Sequence, residues 1–136
     1  GENVEIFELG NIKFSTFICY DLRFPEIFQI VSKKAQVIIV PANWPTSRSE
    51  HWKCLLRARA IENQVYILAI NCVVDIDDLL YSGNSCIINP DGKVMMELPG
   101  KEGTLEYELV NDVENFRSTF PIKRDRREDL YLNLYK

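Results

Sequence analysis

Two apolar runs constrain the fold of this chain more than any other feature. Val37 to Val40 is continuously β-branched or aliphatic, and Val65 to Val74 is a second run that is apolar at most positions. Runs without polar alternation are typical of strands that are buried on both faces, as in sheets covered by helices. Because helical patterns lie between such strands, we predict an α/β layer.

The remaining elements follow from periodicity and turn signals. The β-turn signals are Gly10-Asn11 and Asn89-Pro90-Asp91-Gly92. The other predicted strands are residues 4–9, 12–18, 85–88, 94–98 and 103–109, and the predicted helices are residues 26–34 and 49–63. The polar pattern of residues 110–136 predicts a short helix followed by an extended tail. The leucines and tyrosines of that tail are too apolar to remain in water, so we expect the tail to dock on the domain or on a neighbouring subunit.

Length and charge narrow the classes of function. A chain of 136 residues suits one domain, and its net charge is −4. The only basic run, Lys123 to Arg127, is interrupted by Asp125, so nucleic acid is not an expected partner. No apolar stretch is long enough to span a membrane, and no secretory leader is recognisable. We expect neither membrane nor nucleic-acid binding.

The cysteines indicate a reducing compartment and no metal. Cys19, Cys54, Cys72 and Cys86 are far apart in the sequence, and the chain has one histidine. This pattern lacks the ligand spacing of a zinc site, so we predict no metal and no cofactor. Unclustered thiols in an acidic chain predict a cytoplasmic protein.

Cys19 lies at the junction between a predicted strand and the helix that follows it. Such a crest exposes a side chain beside backbone N–H groups, which stabilise negative charge in the group under attack. Arg23, four positions on, can add to the positive field that favours a thiolate. A cysteine at a strand end is otherwise a small core residue, and position alone leaves both interpretations open.

The residues around Cys19 carry a family resemblance. Ile18 to Glu26 (ICYDLRFPE) resembles the nucleophile motif of the nitrilase superfamily of carbon–nitrogen hydrolases. The resemblance continues in order through PANWP at 41–45, RARAIENQ at 57–64, SGNS at 82–85, NPDG at 89–92 and RREDLY at 126–131. Within the superfamily, the chain looks most like the omega-amidase branch.

The resemblance implies a fold and an activity. The fold is α/β, half of an α-β-β-α sandwich, with one mixed β-sheet, two main helices on one face and an extended C-terminal tail. Residues 1–136 would form a single partial domain, the C-terminal half, with the tail from about residue 110. The implied reaction is hydrolysis of a non-peptide carbon–nitrogen bond, the terminal amide of a small dicarboxylate monoamide such as 2-oxoglutaramate, through a thioester on Cys19.

The resemblance also implies roles for individual residues. Cys19 is the expected nucleophile, and the backbone N–H of Tyr20 is the expected oxyanion donor. Further residues expected to line the substrate pocket or support the site are Arg23, Glu26, Asn43 and Trp44. For Asn43 and Trp44, simple loop packing is an equal alternative. For Arg23 and Glu26, an ordinary cap at the start of the helix is an equal alternative. Glu62 on the long helix is expected to pair with Arg59 or Arg57, and His51 to cap or pack.

The family's other catalytic residues, a glutamate and a lysine, lie upstream of the cysteine, and no residue before Cys19 replaces them. Lys13 is about 20 Å back along the strand, at 3.3 Å per residue. If Glu8 folds back at the Gly10-Asn11 turn, it faces the start of that strand. We therefore expect the isolated chain to be inactive, with a missing N-terminal half as its partner. The chain is then either a fragment of an active enzyme or a natural half-length protein that is catalytically inactive or needs a separate N-terminal chain.

Two alternatives to a hydrolase half remain open at this point. The chain can be a non-catalytic half-fold that serves as an interaction or dimerisation module. An uncovered apolar sheet face predicts a homo-oligomer, formed through the helices or through the sheets. A redox thiol protein is the second alternative, but Cys19 has no resolving cysteine nearby in sequence.

Overall fold

One mixed sheet with helices on one face organises the chain. The computed structural model describes residues 2–76 and 79–135, and within them it contains seven strands and four α-helices. The strands are β1 (Phe7–Leu9), β2 (Ile12–Thr16), β3 (Val37–Ala42), β4 (Tyr66–Asn71), β5 (Val73–Ile76), β6 (Leu79–Ile88) and β7 (Val94–Pro99). The helices are α1 (Pro25–Val31), α2 (Ser49–Asn63), α3 (Val113–Thr119) and α4 (Glu128–Leu134).

Three parallel strands form the centre of the sheet. Val37 of β3 lies between Phe14 of β2 and Tyr66 of β4. β1 joins β2 in an antiparallel hairpin, and β6 runs antiparallel to β4, β5 and β7. Because β2, β3 and β4 are parallel, their carboxyl ends meet at one edge, which is where such sheets bind ligands.

The main core lies between the sheet and helices α1 and α2. Alternate residues of β3 and β4 face the helices and are buried together with the apolar stripes of both helices. These residues are Ile38, Val40, Ile67 and Ala69 from the strands and Phe28, Val31, Trp52, Leu56 and Ala60 from the helices. The predicted half-sandwich, with two main helices on one face of a mixed sheet, is confirmed.

The opposite face of the sheet is covered only in part. Val113 of α3 is buried against Val37 and Tyr66, beside Tyr107 and Leu109. Toward the carboxyl edge the same face is open. There Ile70 is 55% exposed, as predicted for a face that a second layer would cover.

The predicted strand at 103–109 is wrong. These residues, all within the described chain, form no ladder with the sheet. Their alternation comes instead from an extended segment that lies against the sheet face. Leu105, Tyr107 and Leu109 are half-buried, and the residues between them are exposed. Alternation of apolar and polar residues indicates only that one side of a segment is buried. A segment that packs flat on the face of a sheet shows this alternation, as does a strand that pairs with the edge of the sheet.

Other differences concern element ends. The run 65–74 is split at Cys72 into β4 and β5, because β6 bends where Gly83 and Asn84 adopt positive φ. The predicted helix at 49–63 is confirmed to the residue, and so is the turn at 89–92. Gly92 there has a φ of 78° and no room for a Cβ beside Ile61 of α2.

The C-terminal tail docks on the body, at the end of α1. Ser32, the C-cap of that helix, accepts a hydrogen bond from Lys123 at 2.5 Å, and its carbonyl accepts one from Arg117 at 2.9 Å. Arg126 donates to Gln29 at 2.5 Å. Cations are favoured at this negative end of the helix dipole. The tail adds helix α4 to the predicted short helix, and none of the described helices is long and apolar enough to cross a membrane.

Lys123 provides a test of this docking. Burial, followed by repulsion from Arg117, Arg126 and Lys33, lowers the pKa of Lys123 from 10.5 to about 8. Between these values the unfolded chain keeps the proton and the folded chain has lost it, so the free energy of unfolding gains a contribution that rises with pH. Urea titrations from pH 8 to 10.5 should show wild type gaining stability relative to Lys123→Met.

The control is Lys34→Met, which removes an exposed lysine near the same helix end and keeps Lys123. This variant should retain the rise. An unchanged difference between wild type and Lys123→Met across the range would contradict the buried, cation-surrounded position of Lys123.

Candidate active site

Cys19 stands on a strained crest at the carboxyl end of β2. The strand ladder ends at Thr16, and Cys19 begins a 3-10 helix that runs to Arg23. Its φ is 45°, a left-handed conformation that is costly for a residue with a side chain. Such strain persists only where the surroundings enforce it, and it clusters at functional sites. Pro25 then opens α1, as its sequence position predicted.

Asp21 enforces the crest, and the sequence did not identify it. The backbone N–H of Ile18 donates to Asp21 Oδ2 at 2.9 Å, and the N–H of Asp21 donates back to the Ile18 carbonyl at 3.0 Å. This reciprocal pair closes the turn over Cys19. An acidic residue two positions after a strand-end cysteine was the available signal.

An open cleft of about 470 Å³ lies at the sheet edge beside Cys19. The Cys19 thiol lies 3.9 Å from the carbonyl oxygen of Asn43, which follows β3. The cleft is lined by residues from the ends of β2, β3 and β4, namely Ile18, Cys19, Pro41, Ala42, Asn43, Ile70, Asn71 and Cys72. Of the predicted site residues, Cys19 and Asn43 therefore meet in one cleft.

Trp44 and Arg23 support the cleft from behind. Trp44 is 3% exposed, and its ring packs against Trp52 of α2 at 5.5 Å between centroids. Trp44 packs behind the cleft lining, and its role in the substrate pocket stays a prediction. The guanidinium carbon of Arg23 lies 4.7 Å from the Trp44 ring centroid, within the range of a cation–π contact. Arg23 thereby ties the turn after Cys19 to the loop after β3.

Asn71 fixes the loop after β3, and the sequence missed it. The Trp44 N–H donates to Asn71 Oδ1 at 2.7 Å, while Asn71 Nδ2 donates to the carbonyls of Trp44 at 3.0 Å and Gly83 at 2.9 Å. The backbone N–H of Asn71 donates to Ser85 Oγ at 2.9 Å. Asn71 is 7% exposed, so β3, β4 and β6 are joined by buried hydrogen bonds. A polar residue ending an apolar strand was the signal.

Arg59 of α2 holds the turn from the other side. It is 4% exposed, donates to the Leu22 carbonyl at 2.8 Å and forms an ion pair with Glu62 at 2.9 Å. The predicted structural pairing of Glu62 is confirmed, with Arg59 as its partner. A buried guanidinium requires such a partner, because its desolvation is otherwise uncompensated.

The cleft lining also excludes Glu26, His51 and Tyr20. Glu26 is exposed on α1 and accepts a 3.5 Å hydrogen bond from Tyr135 of the tail. His51 is exposed on the first turn of α2. Tyr20 has a 65% exposed side chain, and its N–H belongs to the first turn after Cys19, where helix amides have no intrahelical acceptor. The roles of Glu26 and Tyr20 at the site stay predictions.

Neither a carboxylate nor a lysine lines the cleft among the described residues. Glu8 pairs with Lys13 across the β1–β2 hairpin, at the end of β2 remote from Cys19, as the turn at Gly10 predicted. The cleft by itself therefore offers the thiols of Cys19 and Cys72, backbone groups and the Asn43 side chain. A general base for the thiol has to come from elsewhere.

Asn71→Ala tests whether buried hydrogen bonds hold the loop. The change leaves the Trp44 N–H and the Gly83 carbonyl without partners, which should lower the free energy of unfolding by about 2–3 kcal/mol. Urea denaturation measures this loss. Asn115→Ala on α3, where the side chain is exposed, is the control and should shift stability by less than about 0.5 kcal/mol. Equal effects of the two changes would contradict the assignment.

This chain resembles a family of known enzymes in sequence. The family model for carbon-nitrogen hydrolases matches residues 1–118. A 2-oxoglutaramate amidase of Bacillus subtilis is 43% identical over 127 residues, which cover 92% of this chain and 49% of that protein. The chain thus spans about half the length of the curated relatives it matches.

Solved structures agree in fold. A CN-hydrolase superfamily protein of Xanthomonas campestris, with an arsenic adduct in its active site, has a TM-score of 0.86 at 32% identity, covering 93% of this chain and 51% of that one. A mutant amidase of Nesterenkonia sp. AN1, with acrylamide added to its active-site cysteine, has a TM-score of 0.84 at 28% identity, covering 98% and 50%. By sequence and by fold, this chain belongs to the carbon-nitrogen hydrolase family.

Proposed function

We propose that this chain is the C-terminal half of a cytoplasmic amidase that hydrolyses the terminal amide of a small dicarboxylate monoamide. The observation that carries the proposal is the position of Cys19, on a left-handed crest with its thiol open to the cleft. The relatedness to a 2-oxoglutaramate amidase supports the substrate class. The acrylamide adduct on the active-site cysteine of the Nesterenkonia relative supports a cysteine nucleophile.

The chemistry assigned to this chain is the attack and the stabilisation of negative charge. The Cys19 thiolate adds to the amide carbonyl, and the carbonyl oxygen becomes an oxyanion. The N–H of Tyr20, in the first turn after Cys19, donates to that oxyanion. Collapse of the intermediate breaks the carbon–nitrogen bond and leaves a thioester on Cys19. Water then attacks the thioester and releases the carboxylate.

Proton transfers require groups beyond this cleft. The thiol must lose a proton, and the leaving nitrogen must gain one to depart as ammonia. Because no acid or lysine is among the described residues of the cleft lining, we assign these roles to a glutamate and a lysine of an N-terminal half. We assign to Asn43, which lines the cleft, the binding of the amide or the far carboxylate of the substrate.

Ammonia release tests the proposal. The chain alone and the chain extended by the coding sequence that precedes it in frame are incubated with 2-oxoglutaramate. The extended protein should release ammonia, and Cys19→Ala should reduce the rate about 10³-fold or more, since the nucleophile is lost. Cys54→Ala, at an exposed cysteine of α2, is the matched control and should retain the rate. Unchanged activity in Cys19→Ala would overturn the nucleophile assignment.

A second candidate function is a non-catalytic interaction module, favoured by the bare apolar face around Ile70. We propose that a second copy of the chain covers apolar surface in either case. Ile70 is 55% exposed on the sheet, and Ile61 is 44% exposed on α2. Burial of such residues stabilises association in proportion to the area removed from water.

Light scattering of the chain and of two variants tests this association. Wild type should exceed the monomer mass. Ile70→Lys should restore the monomer if the sheets meet, and Ile61→Lys should do so if the helices pair, because a buried unpaired charge opposes association. A monomeric wild type would contradict the proposal.

A further inference from the structure

The cleft beside Cys19 contains a second thiol. Cys72 lies between β4 and β5 and lines the same cleft, although 52 residues separate it from Cys19 in the sequence. The reaction proposed above uses only one thiol. No other cysteine is near Cys19 in sequence, but the fold brings Cys72 to the same cleft.

Both cysteines are anchored to successive residues of one segment. The Cys19 thiol contacts the carbonyl oxygen of Asn43 at 3.9 Å, and the backbone N–H of Cys72 donates to the carbonyl of Ala42 at 3.3 Å. Cys19 and Cys72 therefore flank the end of β3 from its two sides. Burial raises the pKa of Cys72, and negative charge on Cys19 raises it further.

The other two thiols are placed differently. Cys54 is exposed on α2, in a groove on the helix side of the sheet. Cys86 is buried in the main core, and burial raises its pKa to about 12, which keeps it as an unreactive thiol. Of Cys54, Cys72 and Cys86, only Cys72 lines the cleft beside Cys19.

We propose that Cys72 is a resolving cysteine, which converts a peroxide-oxidised Cys19 into an intramolecular Cys19–Cys72 disulfide. The inference rests on the reactive Cys19 of the proposed function. It assigns the cleft a second chemistry, reversible modification by a peroxide, that would block the nucleophile and protect it from irreversible oxidation to the sulfinic acid.

The chemistry balances in two steps. The Cys19 thiolate attacks one peroxide oxygen, the O–O bond breaks, and hydroxide leaves, so that Cys19 is oxidised to the sulfenic acid and the peroxide is reduced. The Cys72 thiolate then attacks the sulfenyl sulfur, the S–O bond breaks, and a second hydroxide leaves. Two thiols and one hydrogen peroxide thus give one disulfide and two waters. A small dithiol reverses the modification by exchange.

Closure of the disulfide requires local movement. Because β2 and β4 lie on either side of β3, they are two strand spacings, or about 9.6 Å, apart. The Cα atoms of a disulfide are only about 4.4–6.8 Å apart. Both cysteines lie outside the strand ladders, Cys19 in its 3-10 turn and Cys72 at the break between β4 and β5. The bridge would draw the Cys19 turn toward Cys72 and strain the hydrogen bonds that Asp21 and Arg59 make to this turn.

Peptide mapping after peroxide treatment tests the proposal. The chain is exposed to hydrogen peroxide, the remaining thiols are alkylated with iodoacetamide, and a non-reducing digest is analysed by mass spectrometry. The four free thiols should fall to two, with a Cys19–Cys72 linked peptide that dithiothreitol removes. Cys72→Ser should instead accumulate a Cys19 sulfenic acid, trapped by dimedone about tenfold more than in wild type.

Cys54→Ser is the control and should form the same disulfide as wild type. Equal dimedone trapping in wild type and Cys72→Ser would overturn the proposal, and so would a linkage through Cys54 or between chains. The mapping on wild type does not depend on how Cys72→Ser folds. Alkylation of Cys19 by iodoacetamide in the untreated protein distinguishes a failure of this inference from a failure of the proposed function. A reactive Cys19 without a disulfide removes only this inference, whereas an unreactive Cys19 also removes the proposed nucleophile.

Discussion

The parallel alignment of β2, β3 and β4 is the constraint on which the rest of the structure depends. Helices α1 and α2 bury the apolar side chains of β3 and β4 on one face, so these strands cannot shift register without exposing Ile38 and Ile67. With the register fixed, the carboxyl ends of all three strands stop at one edge. That edge brings together Cys19, Asn43 and Cys72 from three separate parts of the chain.

Buried polar groups then turn this edge into a defined site. Asn71 hydrogen-bonds to the loop after β3 and to β6, and Arg59 holds the Leu22 carbonyl in the turn after Cys19. Each is costly to bury without its partners, so each hydrogen bond restricts the backbone to one arrangement. Asp21 completes the enclosure of Cys19. The positive φ of Cys19 is sustained because the residues on both sides of it are held in place.

The layer, the two main helices and the location of the cysteine crest were predictable, because burial periodicity and the motif around Cys19 are local properties. The false strand at 103–109 shows the limit of periodicity, since one-sided burial produces alternation without any ladder. Asn71 escaped prediction because its partners, Trp44 and Gly83, are distant in sequence. The pairing of Cys72 with the Cys19 cleft was equally invisible, because it depends on β3 and β4 lying side by side. Long-range packing, which no single segment encodes, decided all three.

The nucleophilic role of Cys19 is the central claim, and trapping the acyl-enzyme tests it most directly. The chain, extended by the coding sequence that precedes it in frame, is mixed with 2-oxoglutaramate, quenched in acid within one turnover, and digested for mass spectrometry. The account predicts a peptide containing Cys19 with the mass of the acyl group, which hydroxylamine removes as expected for a thioester. Ammonia release without any adduct on Cys19, or with the acyl group on another residue, would contradict it.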